Sequence, residues 1–321
     1  SASAFFRLGN PARRADPARF AALADRDYRG PIIDGLVKPD AGDARRLVLA
    51  ADTYEGALLK EQRGWFLDGR LEFLPLNDAG KETILREQHA PKPCFKVDAA
   101  SVVVTEGGRR YRLPRTAAVY DAPFPTGWPR DLREVVTERN HLNVHGTIYE
   151  VPRADVGGFQ RMRPIATHNK RIRDFASWRG LLVLTGVRAD ARPGEHCHKS
   201  ADGTSAVWLG EVDDLWRMGA PVGVGGPWED TAVAAGEPSD PYLMAGYRTK
   251  SLALSHRAAQ PVVFTVEVDF AANGEWSEYL KLEVEPGQTA HHRFPAGYSA
   301  HWVRLKADRA ARASALFTYQ P

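Results

Sequence analysis

Three histidines, His141, His145 and His168, share one block of the chain with Glu138, Arg139, Asn143, Lys170, Arg171, Asp174 and Arg179. Histidine takes up and releases a proton near neutral pH, so the block holds the residue types needed for acid and base catalysis. Arginine can hold a carboxylate through two parallel hydrogen bonds, which makes Arg139, Arg171 and Arg179 candidate contacts for an anion such as a uronate. His141 and His145 enclose Leu142-Asn143-Val144. With no Glu between them, the zinc-protease helix motif is excluded. No cofactor is expected, but a divalent metal held by this pair with His168 or Glu150 is left open.

A second cluster is His196-Cys197-His198. Neighbouring residues of an extended chain point to opposite sides, so only His196 and His198 share a face. One such pair is thin grounds for a metal site, and substrate or surface contact is the alternative role. Trp178 and Trp228 are read two ways, as core or as flat apolar faces that would stack on a sugar ring. Gly223-Val224-Gly225-Gly226-Pro227-Trp228 lacks the spacing and the Lys-Ser/Thr of a phosphate loop. Its glycines suit tight turns. No Gly-x-Ser-x-Gly nucleophile elbow occurs. Tyr54, Tyr149, Tyr242 and Tyr247 supply phenols that, with a histidine, could carry out β-elimination from a uronic acid. Hydrolysis would use paired carboxylates, and spacing alone does not say which Asp and Glu face one another.

The elements that must position these groups read as strands. Runs such as Arg46–Ala50, Ser101–Val104, Arg109–Leu113, Thr147–Val151 and Leu181–Leu184 are short and separated by Gly or Asp. From Pro261 the chain alternates with period two through Val262–Phe270, Tyr279–Val284, Ala300–Ala307 and Ala313–Tyr319, with turns at Asn273-Gly274 and Pro286-Gly287. Asp131–Glu138 is the best helical candidate, and Asp213–Gly219 a helix-like turn or edge element. Residues 1–28, with Pro11 and Pro17, read as an N-terminal arm or short helix, and 29–321 as one body. Strand groups recurring without long helices between them predict an all-β fold of antiparallel sheets: a β-propeller, seven-bladed or incomplete, with a pair of β-sandwiches as the alternative.

Bulk properties narrow the classes. Of 321 residues, 43% are hydrophobic and 26% charged, which is the composition of a folded globular chain. The formal charge of +3 is small, and the basic runs have acidic neighbours, so a nucleic-acid partner is not expected. No apolar run is long enough for a membrane span. Cys94 and Cys197 could pair or stay as buried thiols. Ser1–Ala4 lacks a starting Met and a signal sequence and reads as a processed or trimmed start.

The segments Arg139–Gly146, Thr167–Arg171 and Asp174–Gly186, with Trp208-Leu209-Gly210, Asp213–Trp216 and Gly225–Trp228, carry a resemblance in texture. Together they resemble bacterial β-propeller proteins of polysaccharide degradation, related to seven-bladed α-L-rhamnosidases and uronate-directed polysaccharide lyases. That resemblance implies a propeller with a carbohydrate pocket, an oligosaccharide or polysaccharide partner, and a periplasmic or extracellular location. It also implies a central catalytic histidine, or His and Tyr in proton transfer. The function expected is cleavage of a uronate- or rhamnose-containing glycan by hydrolysis or elimination. His141, His145 and His168 would be catalytic, and Arg139, Arg171, Trp178, Arg179, His196, His198 and Trp228 substrate contacts. The alternative is a non-catalytic carbohydrate-binding propeller.

Overall fold

The computed structural model describes residues 15–321 apart from 56–57, 78, 81, 83–92, 126 and 137–138. The chain is all-β, with several antiparallel sheets and almost no helix among the described residues. Of the expected arm, 1–14 lie outside the described residues, and the remainder opens with a single 3-10 turn, Pro17–Phe20. Residues 29–321, expected as one body, divide between two compact units. Unit 1 comprises Ser1–Pro93, Ala122–Ile148 and His168–Gly219. Unit 2 comprises Cys94–Asp121, Tyr149–Thr167 and Ala220–Pro321.

Unit 1 holds a five-stranded antiparallel sheet in the order Val187–Arg188, Ile32–Pro39, Leu47–Glu55, Leu58–Leu67, Phe73–Pro75. A second sheet runs Phe175–Trp178, Leu181–Leu184, Ala206–Gly210, Cys197–Lys199. The segment expected to be helical is instead the strand Leu132–Val136, paired with Arg139–Val144. Leu-Arg-Glu-Val-Val ends in β-branched residues, which lose side-chain freedom in a helix and pack well on a pleated surface. Val212–Arg217 is the helix-like turn. Its capping box joins the Glu211 and Asp214 side chains to each other's backbone N–H groups.

Unit 2 contains two antiparallel assemblies that share one core. One is Gly223–Val233, Ala311–Gln320, Thr249–His256, Thr289–Arg293; the other includes Ser277–Val284, Val262–Asp269 and Trp302–Ala307. Thr249–His256 and Ala311–Gln320 alternate strictly between buried and less buried positions, and Val262–Asp269 does so up to its last residue. The inward rings meet across the gap: Trp228 lies 6.2 Å from Phe264, and Tyr242 stacks on Phe317 at 5.1 Å, centroid to centroid. Within unit 2 this is a sandwich arrangement. Neither cysteine is in a disulfide, and Cys197 is a buried thiol. No helix among the described residues is long and apolar enough to cross a membrane.

Candidate functional site

The strand Ile32–Pro39 places side chains alternately on two faces, and Ile32, Asp34 and Leu36 share one of them. On that face the neighbouring strand supplies Val48, Ala50 and Asp52, and Leu36, Val48 and Ala50 form an apolar cluster with Phe66 and Leu76. Asp34 interrupts this apolar row at only 2% exposure. It stands directly opposite Asp52, and Asp52 stands opposite Gln62 on the third strand. Asp34, Asp52 and Gln62 thus form a polar row across this face.

The two carboxylates differ in environment. Asp34 pairs with the buried guanidinium of Arg173, Nε to Oδ2 3.6 Å. Burial pushes the half-buried Asp52 carboxyl up, against the opposing pull of the Gln62 amide at 2.9 Å and of Arg173. One carboxyl ion-paired and its neighbour across the register raised by burial are the unlike environments that acid–base catalysis uses. Arg173 is itself held in place by donating to the Trp128 carbonyl. Beside it, Asp174 is fully buried and pairs with Arg130 at 2.8 Å and Arg133 at 3.1 Å, while accepting from the Val37 N–H at 2.9 Å. That bond ties the strand carrying Asp34 to the segment carrying Arg173.

The histidine block is assembled, but its rings are occupied. His145 and Gly146 both have positive φ, 50° and 73°, so they make a tight hairpin turn; His145 is buried there. The Lys170 N–H donates to His168 Nδ1 at 3.0 Å, which puts the ring proton on Nε2, where it is donated to Asn143 Oδ1 at 3.1 Å. Burial, with the Lys170 charge adding to it, lowers the His168 pKa to about 3. His168 is therefore a neutral ring with both nitrogens engaged, a strut between the strand Arg139–Val144 and the loop at Lys170. His141 is lowered to about 4 by burial and by Arg139, and its Nδ1 is buried with no hydrogen-bond partner. It lines a small pocket with Asn143, Ile148, Ile172, Phe175 and Leu215 among its walls.

The remaining candidates scatter. Arg139 is exposed, Arg171 lays its guanidinium over the Phe124 ring at 4.8 Å, and Arg179 donates to the Gly69 carbonyl at 3.1 Å. Trp178 is 3% exposed and Trp228 6%, the latter within unit 2. Both rings are core, Trp228 packing toward Phe264 at 6.2 Å, and neither offers a stacking face. His196 accepts from Arg19 at 2.9 Å and donates to the Leu209 carbonyl at 2.8 Å while stacking on Trp208. His198 is half-buried, and burial lowers its pKa. Among the described residues no three His, Cys, Asp or Glu converge as a metal site.

The carboxylate row escaped the sequence reading. A signal for it exists: an Asp at the inward position of Ile-Ile-Asp-Gly-Leu-Val, a run too apolar for a solvent-facing acid.

No protein-family model matches the chain, and neither does any curated protein. Among solved structures, a protein titled PirA is 13% identical over 31% of this chain and 84% of its own, with a TM-score of 0.19. One titled glycoside hydrolase is 8% identical over 93% and 99%, with a TM-score of 0.21. A family 43 arabinoxylan arabinofuranohydrolase from Bacillus subtilis is 9% identical over 92% and 96%, with a TM-score of 0.20. Likenesses this slight carry no weight for fold or activity.

Proposed function

We propose that this protein is a carbohydrate-active hydrolase whose acid and base are Asp52 and Asp34. The observation that carries the reading is the pair itself: two carboxyls opposite one another on adjacent strands, one ion-paired and one pushed toward its protonated form. In this scheme the Asp52 carboxyl gives its proton to the glycosidic oxygen as the bond from that oxygen to the anomeric carbon breaks. The Asp34 carboxylate either takes a proton from the attacking water or attacks the anomeric carbon itself. Arg173 positions Asp34. Acid and base are both side chains, so the reaction as proposed uses no cofactor.

Hydrolysis by carboxylates replaces histidine chemistry as the leading route, because His168 has no free nitrogen to offer. Elimination is the second reading, and it rests on His141, whose Nδ1 is unengaged beside Asn143. A uronate- or rhamnose-containing glycan is the substrate class to try first, and a periplasmic or extracellular location accompanies it. A β-propeller of antiparallel sheets over residues 29–321, with its blade count, is part of the proposal.

The test is incubation with a panel of rhamnosylated and uronate-containing glycans, following reducing ends together with ultraviolet absorbance of the unsaturated product. New reducing ends without absorbance are expected, with rates falling as pH rises through the Asp52 titration. Asp52→Asn and Asp34→Asn should each lower the rate by about 10²–10⁴-fold. Matching absorbance, lost in His141→Ala and kept in Asp52→Asn, would replace hydrolysis by elimination. No product with any member of the panel would overturn both.

A further inference from the structure

Five rings gather at one edge of unit 2, away from any group used above. Tyr279 lies 4.7 Å from Tyr298, 5.2 Å from Phe294 and 5.5 Å from His292, and Phe270 lies 6.2 Å from Tyr298. Phe294 is the buried base of the group and stacks back on core Phe317 at 6.3 Å. Tyr279, His292 and Tyr298 are half-buried, and Phe270 is 54% exposed.

This surface is braced by groups whose placement costs free energy. Tyr279 falls at the register shift between Ser277–Val284 and Val262–Asp269, where an extra residue re-aims a side chain. The loop after Phe270 is wound around the buried Asp269 carboxylate, which accepts from the N–H groups of Ala271, Asn273 and Gly274 at 3.1, 3.3 and 2.8 Å. The loop bearing Tyr298 is held by Lys250, a lysine only 4% exposed, whose ammonium donates to the carbonyls of Tyr247 at 2.6 Å and Tyr298 at 2.8 Å. A buried ammonium is expensive unless hydrogen-bonded. Here it is satisfied by fixing one end of the ring cluster. Two exposed-edge loops are thus rigid, and both carry an aromatic ring.

The chemistry of the fringe selects the ligand. Its polar edge is the Tyr279 hydroxyl, which shares a hydrogen bond with His292 Nε2 at 3.2 Å, while the Tyr298 hydroxyl is buried and only its ring is offered to a ligand. Burial lowers the His292 pKa, so its ring is neutral at pH 7. A neutral surface of ring faces edged by hydroxyl and imidazole is complementary to a neutral ligand that has C–H faces and many hydroxyls. A nucleic acid would call for cations among the rings.

We propose that Phe270, Tyr279, His292 and Tyr298 form a saccharide-binding surface on unit 2, distinct from the carboxylate row of unit 1. It takes the sugar rings of an uncharged oligosaccharide or polysaccharide chain, and it stands independently of the hydrolase reading.

The test measures binding on full-length Asp52→Asn protein, so that hydrolysis does not consume the probe. The probes are cellulose, xylan and chitin by co-sedimentation, and cellohexaose and xylohexaose by calorimetry. Retention on at least one probe is expected. Phe270→Ser and Tyr279→Leu should each weaken it by about threefold to tenfold, the range that loss of one aromatic contact gives. Phe270 is exposed enough for its replacement to leave folding intact, and Tyr279→Leu keeps apolar volume, so unfolding midpoints close to that of the parent should accompany both. Equal binding by parent and variants, or no binding of the parent to any probe at millimolar concentration, overturns the proposal. Failure of the hydrolase reading shows separately, as absence of product from the unmodified protein.

Discussion

Moderate acid should weaken the fold, and unit 1 about twice as much as unit 2. His141 and His168 in unit 1 and His301 in unit 2 have pKa values lowered from 6.5 to about 4, 3 and 4, in each case chiefly by burial. Each is at most 6% exposed. The unfolded chain therefore takes up a proton at each of them as pH falls below 6.5, whereas the native state does not until about pH 4 or below. Stability rises with pH wherever the unfolded state binds more protons, so the contribution is complete above 6.5 and is lost as pH falls toward the folded value. Between pH 7 and pH 5 the loss works out at about 1.8 kcal/mol per histidine, roughly 3.6 in unit 1 and 1.8 in unit 2. Unfolded carboxylates stay largely ionised across this window, which isolates the histidine effect. Asp52, pushed up by burial, acts with the opposite sign, relieving a cost as it protonates. The assay is native-state hydrogen exchange at both pH values, corrected for intrinsic rates, with peptides assigned to each unit. His168→Gln, which can still accept from the Lys170 N–H or donate to Asn143, should remove about half of the change in unit 1. Equal protection at pH 7 and 5, or an unaltered pH response in His168→Gln, would refute the burial argument.

Asp174→Asn should destabilise unit 1 by about 3–5 kcal/mol, because it leaves Arg130 and Arg133 in a buried site without their carboxylate; urea denaturation showing a loss below about 1 kcal/mol would contradict this. Gly186→Ala should cost at least about 1–3 kcal/mol, since Gly186 has φ 96° and an added Cβ would collide with the Arg171 carbonyl oxygen; an unchanged melting temperature would count against the backbone geometry. Tyr242→Phe and Tyr319→Phe form a matched pair in the unit 2 core. The Tyr242 hydroxyl is buried without a partner, so its removal should be neutral or stabilising, whereas Tyr319 donates to the Leu243 carbonyl at 2.9 Å and its loss should cost about 1 kcal/mol. Thermal unfolding of the two variants should separate them in that order.

What could be read in the chain follows from how local each feature is. The alternation from Val262 to Tyr319 reports the two-faced environment of each strand, and the inward set Phe264, Val266, Val268, Leu305 and Phe317 is buried as its period requires. The helical expectation for Asp131–Glu138 fails because so short an apolar-polar run fits helix or strand equally, and pairing of Leu132–Val136 with Arg139–Val144 makes the choice. Histidine clustering was legible; the state of the rings was not. Whether His168 is a base depends on Asn143 and on the Lys170 backbone arriving at its two nitrogens, a matter of how a strand and a loop meet. Trp178 and Trp228 were ambiguous for a related reason, since ring type does not reveal which side of a sheet is covered.

The carboxylate row is the sharpest case of this limit. Asp34, Asp52 and Gln62 are neighbours only because three consecutive strands pair in one register, and a slip by one residue would turn each to the opposite face. Sequence spacing contains the residues but not the register. The register is set by the apolar positions on either side, where Leu36, Val48 and Ala50 must be buried together. The packing that stabilises this sheet therefore also brings the two carboxyls face to face. Mutations in its apolar cluster, such as Ala50→Thr, should disturb the Asp34–Asp52 pairing before they unfold the unit. The Asp52 titration, followed by carboxyl carbon chemical shift, should then move toward its ordinary value while the cooperative unfolding transition persists. A titration left in place by a cluster variant that has lost stability would show that the pairing does not depend on this packing.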